Sequence, residues 1–121
     1  MSKTAIIILS DPKAGSEEAL GRVFNALASA YEFKQAGEDV KIIFQGTGIR
    51  WPEQLAQTEH PVHGLYQEVK DHVHGLSQGC VAVFGTEVSG YDLLNDNAVP
   101  GTPGLPSLLN LRNEGYAILI F

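Results

Sequence analysis

The protein has 121 residues, the size of one domain, and 44% of them are hydrophobic. Its formal net charge of −6, with only eight Lys and Arg residues, excludes a basic nucleic-acid-binding surface. A single cysteine excludes an internal disulfide, and no apolar run is long enough to span a membrane. We therefore expect one cytoplasmic domain covering residues 1–121, with neither nucleic acid nor membrane as a partner.

The first part of the chain predicts a strand, a long helix and a second strand. Residues 5–9 form a continuous apolar run, typical of a strand covered on both faces of a parallel sheet. Ser16 is a favourable N-cap for a helix whose apolar spacing extends to about Ala36, and Gly37 is placed to end it. Residues 40–44 then predict the second strand.

The middle of the chain predicts two helices, a third strand and a further short helix. Trp51–Leu55 is expected to be helical, with Pro52 in its first turn. Apolar residues at helical spacing predict a longer helix from Pro61 to about Leu76. Residues 80–84 predict the third strand, and Ser89 begins a capping box that predicts a helix of one or two turns.

The last part predicts a segment over residues 98–101 that is irregular or a brief strand, followed by a helix and a final strand. The helix is expected to start at Thr102 and Pro103 and to stop at Gly115, before a strand over residues 116–121. The alternation of strands and helices predicts an α/β domain. We expect a three-layer α/β/α sandwich with a mainly parallel sheet of about four to five strands.

In such a fold, right-handed crossovers place every strand-to-helix loop at the carboxyl edge of the sheet. Ligands of open α/β sheets bind at that edge, where the strand order reverses. The predicted ligand-binding residues therefore lie in the loops after the first three strands. They are Ser10, Asp11, Gln45, Gly48, Arg50, Gly85, Thr86 and Ser89.

No sequence motif predicts a cofactor or a metal. The Gly46-Thr47-Gly48 sequence lacks the third glycine of a dinucleotide fingerprint, because that position holds Trp51, and Gly48 is expected to provide a turn with positive φ. Of the four histidines, none pairs with another at i, i+4, although His60 and His63 could meet at a helix start. The sequence shows no complete set of catalytic residues, so we do not predict an enzyme.

Cys80 has two interpretations. It could act as a nucleophile or persulfide carrier, which requires an exposed and activated thiol. Because the predicted third strand begins at Cys80, we expect it at the amino edge of the sheet, opposite the ligand loops. The sequence therefore favours a small, buried core residue.

Residues 3–8, the long helix from Ala19 to Gly37, residues 38–44, and the closing stretches 101–109 and 114–121 resemble the DsrE/DsrF-like family, also described as YchN-like. The resemblance runs essentially end to end. It implies a small cytoplasmic α/β domain that assembles into homo- or hetero-oligomers. Members of the sulfur-relay branch carry a persulfide on a cysteine just after the third strand. On the predicted strands that position falls on Phe84 or Gly85, so the chain resembles a divergent member lacking the relay cysteine there.

The leading functional prediction is a DsrE-like homo-oligomer that binds a small ligand or a partner protein at the carboxyl edge. One alternative is a sulfur-transfer protein that uses Cys80. A second alternative is a non-catalytic subunit that pairs with another DsrE-like chain.

Overall fold

The structure, a computed structural model, describes residues 2–85 and 87–121. Within that part, five parallel strands form one sheet in the order β4-β3-β2-β1-β5. The strands are β1 (Lys3–Ile8), β2 (Asp39–Phe44), β3 (Val73–Ser77), β4 (Leu93–Leu94) and β5 (Ala117–Ile120). The α-helices are α1 (Glu17–Gln35), α2 (Trp51–Leu55), α3 (His63–Val69), α4 (Gln78–Phe84) and α5 (Leu108–Asn113). The predicted α/β class and parallel sheet are confirmed.

The two faces of the sheet bury alternate residues of its central strands. Ile6 and Phe44 belong to a core that α1 and α3 cover. Ile7 and Ile43 belong to a second core on the opposite face, where Leu111 of α5 packs. Since fully burying one such side chain contributes about 1.5–3 kcal/mol, these two cores hold the sheet between its helices. The arrangement agrees with the predicted three-layer sandwich.

The long helix begins and ends close to the predicted residues. The Ser16 Oγ accepts a hydrogen bond from the backbone N–H of Ala19 at 3.1 Å, as an N-cap does. Gly37 follows the helix with φ of 77°, a conformation that glycine adopts without steric cost. The predicted bounds of α2 are also confirmed.

Residues 70–85 differ from the prediction. Helix α3 ends at Val69, and β3 occupies Val73–Ser77, where a helix had been expected. The predicted third strand over residues 80–84 is wrong, because this stretch is helical in α4. Short apolar runs cannot be assigned from periodicity alone, and here the capping residues decide. Ser77 caps the start of α4, and Gly85 ends it in the left-handed conformation, with φ of 63°.

The predicted helix after Ser89 is also wrong. Leu93–Leu94 is instead the short edge strand β4, paired with β3. The close approach of these strands requires Gly75, because a Cβ atom there would lie 2.6 Å from the carbonyl oxygen of Asp92. The apolar Leu-Leu pair is therefore held by the sheet edge rather than by a helix.

Helix α5 starts later than predicted. Its N-cap is Ser107, whose Oγ accepts from the Asn110 N–H at 3.0 Å, rather than Thr102. The Ser107 N–H in turn donates to the Asp96 carboxylate at 2.8 Å, which ties the start of α5 to the preceding loop. In this helix Leu111 is buried, whereas Leu109 is 56% exposed.

The strand order places the ends of β1, β2 and β3 side by side at the carboxyl edge. The loops that follow these strands therefore meet there. The order reverses between β1 and β5, since the chain proceeds from β1 to β4 on one side and returns to the other side for β5. Within the described ranges, no helix combines the length and apolar character needed to cross a bilayer.

Candidate functional site

A cleft of about 990 Å³ opens at the carboxyl edge, above the ends of the three neighbouring strands. Its walls come from the turn after β1, residues 49–56, the end of α4 with the loop that follows it, and Lys70 in the turn before β3. Among the residues that line it are Lys13, Arg50, Lys70, Phe84, Ser89 and Tyr91. The size and position make it the principal candidate for a ligand site.

Arg50 is held in a defined position in this cleft. Its Nη1 donates a hydrogen bond to the Asp11 Oδ2 at 3.1 Å, and the guanidinium carbon lies 5.7 Å from the centre of the Phe84 ring. The other oxygen of Asp11 accepts from the Lys13 backbone N–H at 2.9 Å, which fixes the turn after β1. The Asp11–Arg50 contact therefore joins two of the predicted ligand residues and two strand-end loops.

Ser10 contacts Trp51, the residue that follows Arg50 in the chain. The indole N–H of Trp51, a residue only 2% exposed, donates to the Ser10 carbonyl at 2.7 Å and lies 3.2 Å from its Oγ. Ser10 and Asp11 line a smaller cavity of about 280 Å³ next to Phe121 and the end of β5. The reversal of strand order therefore coincides with this smaller cavity, while the large cleft lies over β1, β2 and β3.

Gln45 and Gly48 do not line the cleft. Gly48 is buried, and a Cβ atom there would overlap the backbone of Ile8, so this glycine permits close packing. The expectation that Gly48 provides the positive φ is wrong, because Gly46 does so with φ of 60°. Gln45 is partly buried, and within the described residues its Oε1 has no hydrogen-bond partner.

The predicted residues after α4 divide into three cases. Gly85 lines the cleft and ends α4. Ser89 lines the cleft from an exposed loop, with no helix for it to cap. Thr86 lies outside the described residues. The structure thus brings Arg50, Gly85 and Ser89 together around one cleft.

Cys80 lies at the carboxyl edge, so its predicted position at the amino edge is wrong. It is in the first turn of α4, three residues after the end of β3, and its backbone N–H lies 3.4 Å from the Ser77 Oγ. Its Sγ accepts a hydrogen bond from the Gly46 N–H at 3.1 Å. The expectation that it is buried is confirmed, since it is 8% exposed.

Several cleft residues were not predicted from the sequence. Tyr91 lines the cleft, and its hydroxyl contacts that of Tyr66, a fully buried residue of α3. Burial, followed by the hydrogen bond with Tyr91, raises the pKa of Tyr66, so the Tyr66 hydroxyl stays neutral. Lys13 and Lys70 were missed because isolated surface lysines carry no motif. Tyr66 lies within the predicted helix that begins at Pro61, and its apolar spacing gave no sign of a polar role.

His60 and His63 make contacts with residues close to them in the chain. His60 packs edge-on against Trp51, and its Nδ1 accepts from the Val62 N–H at 3.1 Å. The His63 Nδ1 lies 2.8 Å from the Leu55 carbonyl. Across residues 2–85 and 87–121, no group of three or more His, Cys, Asp or Glu side chains is placed to hold a metal ion.

Comparisons with known proteins give a limited result. No protein-family model matches the chain, and no solved structure matches it. The chain is similar to an uncharacterized protein of Methanocaldococcus jannaschii, with 28% identity over 99 residues. The matched segment makes up 80% of this chain and 78% of that relative.

Proposed function

We propose that this protein is a DsrE-like domain that binds a small ligand or a partner protein in the cleft at the carboxyl edge. The observation that carries the proposal is the meeting of three strand-end regions around a cleft of about 990 Å³. Arg50, anchored by Asp11 and facing Phe84, supplies an oriented polar group in a cleft whose lining combines polar and apolar residues. Such a group can fix the orientation of a ligand. We also propose that the protein is cytoplasmic, because its single cysteine gives no support to a secreted protein stabilised by disulfides.

The cleft can be tested with a variant that fills it. Ser89→Trp places a large side chain at the exposed rim, while Asn113→Trp makes the same addition at the end of α5. Each protein is incubated with the small-molecule fraction of a cell extract and examined by native mass spectrometry. We expect wild type and Asn113→Trp to retain a bound species that Ser89→Trp loses. Equal retention by all three proteins, or retention by none, contradicts a small-ligand site in the cleft.

A second candidate function is sulfur transfer through Cys80, favoured by its position after β3 at the carboxyl edge. The family resemblance expects a relay cysteine just after the third strand, and the corrected strand assignment puts Cys80 there. In this reaction the Cys80 thiolate attacks the terminal sulfur of a donor persulfide. A Cys80 persulfide forms, and the donor leaves as its thiolate.

The sulfur-transfer candidate has a direct test because the chain has one cysteine. Native protein is treated with a persulfide donor, and its intact mass is measured before and after reduction. A reversible gain of one sulfur atom that is absent from Cys80→Ser supports the function. If native Cys80 gains sulfur only after partial unfolding, its burial rules the reaction out.

We also propose that the protein forms homo-oligomers through the edge strand β5, with pairing to another DsrE-like chain as the alternative. Among the described strands β5 pairs only with β1, and Ile120 on it is 58% exposed and Leu119 38% exposed. An exposed apolar edge of this kind favours pairing with another chain. In sedimentation velocity, we expect wild type to be larger than a monomer and Ile120→Lys to dissociate. Leu109→Lys, at an exposed position of α5, is the matched control.

A further inference from the structure

The cations of this acidic protein are concentrated at the cleft. Three of the eight Lys and Arg residues line it, namely Lys13, Arg50 and Lys70. Only two of the 14 Asp and Glu residues do so, Glu53 and Glu87. The lining side chains therefore carry three positive and two negative charges, and the Asp11 carboxylate outside the lining pairs with Arg50. The cleft is thus far less acidic than the chain as a whole, which carries −6, and a small anion meets less repulsion there than elsewhere on the surface.

The two lysines at the cleft also differ from the other lysines in their contacts. Lys3 donates to the Glu114 carbonyl, Lys34 pairs with Asp71, and Lys41 pairs with Glu114. Within the part of the chain that the structure describes, the ammonium groups of Lys13 and Lys70 have no ion pair and no hydrogen bond. Their charge is not neutralised by a neighbouring carboxylate.

Arg50 has donors left over. A guanidinium carries five N–H donors, and among the described residues Arg50 uses only Nη1, toward Asp11. The contact with Asp11 and the Phe84 ring fix the plane of the group at the cleft wall. A guanidinium held in this way can bind the two oxygens of a carboxylate or phosphate in parallel, without first losing side-chain freedom.

We propose that the ligand of this cleft is a small molecule bearing an oxyanion, such as a carboxylate or a phosphate. Arg50 donates to its oxygens, Lys13 and Lys70 attract it, and Phe84 and Tyr91 contact its apolar part. This inference rests on the cleft's proposed role as a ligand site and adds the chemical class of the ligand. A nucleic-acid strand does not fit, because the molecule is acidic and only three of its eight Lys and Arg residues line the cleft.

The test uses Trp51, the only tryptophan, which directly follows Arg50 in the chain and reports on this region by fluorescence. The intact protein is titrated with inorganic phosphate, sulfate and benzoate, with sodium chloride holding the ionic strength constant. Benzyl alcohol is the neutral counterpart of benzoate. We expect at least one oxyanion to bind with saturation, and benzyl alcohol to bind at least about tenfold more weakly than benzoate if benzoate is recognised.

Three variants distinguish anion binding at a specific site from a general effect of the protein's charge. Arg50→Gln should weaken the binding of the recognised anion by about tenfold or more, since a charge-assisted contact is lost. Lys70→Gln should weaken it by about two- to threefold. We expect this variant to fold normally, because the Lys70 ammonium has no hydrogen bond and no ion pair within the described residues. Arg112→Gln, an equal charge change on α5, should leave binding unchanged.

The outcomes discriminate between the inference and the function on which it depends. Saturable phosphate or sulfate binding supports a phosphate-type headgroup, and benzoate binding alone supports a carboxylate ligand. If no oxyanion binds above chloride, or if Arg50→Gln and Arg112→Gln weaken it equally, the inference is overturned. A neutral species retained by wild type and by Arg50→Gln but lost from Ser89→Trp would overturn the anionic class and keep the cleft as a ligand site.

Discussion

The backbone N–H of Gly46 donates a hydrogen bond to the Sγ of Cys80 at 3.1 Å, joining the loop after β2 to the helix after β3. Both residues lie at the carboxyl edge, beside the candidate cleft. Through this contact the Cys80 thiol contributes to the local structure at the carboxyl edge of the sheet, where the ligand site is proposed. It also gives the sulfur a structural role that can be measured separately from any chemistry.

Replacing Cys80 tests that structural role. Cys80→Ala leaves the partly buried Gly46 N–H without its acceptor, so we expect a loss of about 1–3 kcal/mol in the free energy of unfolding. Cys80→Ser keeps an acceptor atom and should lose less. Urea unfolding followed by Trp51 fluorescence measures both variants. Equal stability of Cys80→Ala and wild type would show that the contact contributes nothing.

Gly48 should tolerate no side chain. In Gly48→Ala the new Cβ atom meets the Ile8 backbone, which cannot move without disturbing β1, and we expect a loss of about 2–3 kcal/mol. Gly21→Ala is the control, because apart from its neighbours in the chain and the backbone of its own helix no described atom lies within 4 Å of its Cβ position in α1. That change should raise stability by about 0.5–1 kcal/mol. Thermal unfolding of both variants under one condition checks the opposite signs.

The hydroxyl pair of Tyr66 and Tyr91 should show strong non-additivity. Tyr91→Phe leaves the fully buried Tyr66 hydroxyl without its partner, at a cost of about 1–3 kcal/mol. Adding Tyr66→Phe removes the unpartnered group, so the double variant should be more stable than Tyr91→Phe alone. A double-mutant cycle in denaturant measures the coupling. Additive effects would mean that the two hydroxyls do not depend on each other.

His60 should make stability decrease in mild acid. Burial, followed by the proximity of His63, lowers its pKa from the usual 6.5. The unfolded chain therefore binds a proton at a higher pH than the folded protein does. Stability is complete above about pH 6.5 and is lost as the pH falls through the lowered pKa. Protonation of Nδ1 would also break its hydrogen bond with Val62.

The measurement is the free energy of unfolding between pH 7.5 and pH 5, in wild type and His60→Asn. Burial, followed by the charge of Lys41, also lowers the pKa of His74, so part of the decline should persist in the variant. The difference between the two curves isolates His60. Parallel curves for the two proteins would show that His60 does not contribute to the acid sensitivity.

The sequence was sufficient where local signals agreed with one another. Ser16, Gly37 and the apolar spacing between them predicted α1, and the continuous apolar run beginning at Ala5 predicted a strand buried on both faces. These features depend on neighbours in the chain, such as a cap that satisfies the first turn of its own helix. They established the α/β class and indicated the edge of the sheet at which to look for a site.

Between residues 70 and 94, several local signals conflicted, and only contacts between distant segments decided the structure. His74 and Gly75 looked helical beside Val73 and Leu76, yet pairing with β2 and β4 makes this stretch a strand. The apolar residues after Cys80 suited either a strand or a helix. Because the third strand had been placed several residues too late, Cys80 was assigned to the wrong edge of the sheet.

The same distinction applies to the candidate site. The sequence alone determined that the loops after the first two strands, and therefore Arg50, belong near the carboxyl edge. Ser89 was placed there on a third strand that is helical in the structure, and it lies in the loop after α4. Only the tertiary structure could show that Asp11, 39 positions away, anchors Arg50, or that Gly48 packs against Ile8. Local propensity is a property of adjacent residues, whereas a cleft is made by strand order and by the distances it sets between loops far apart in the chain.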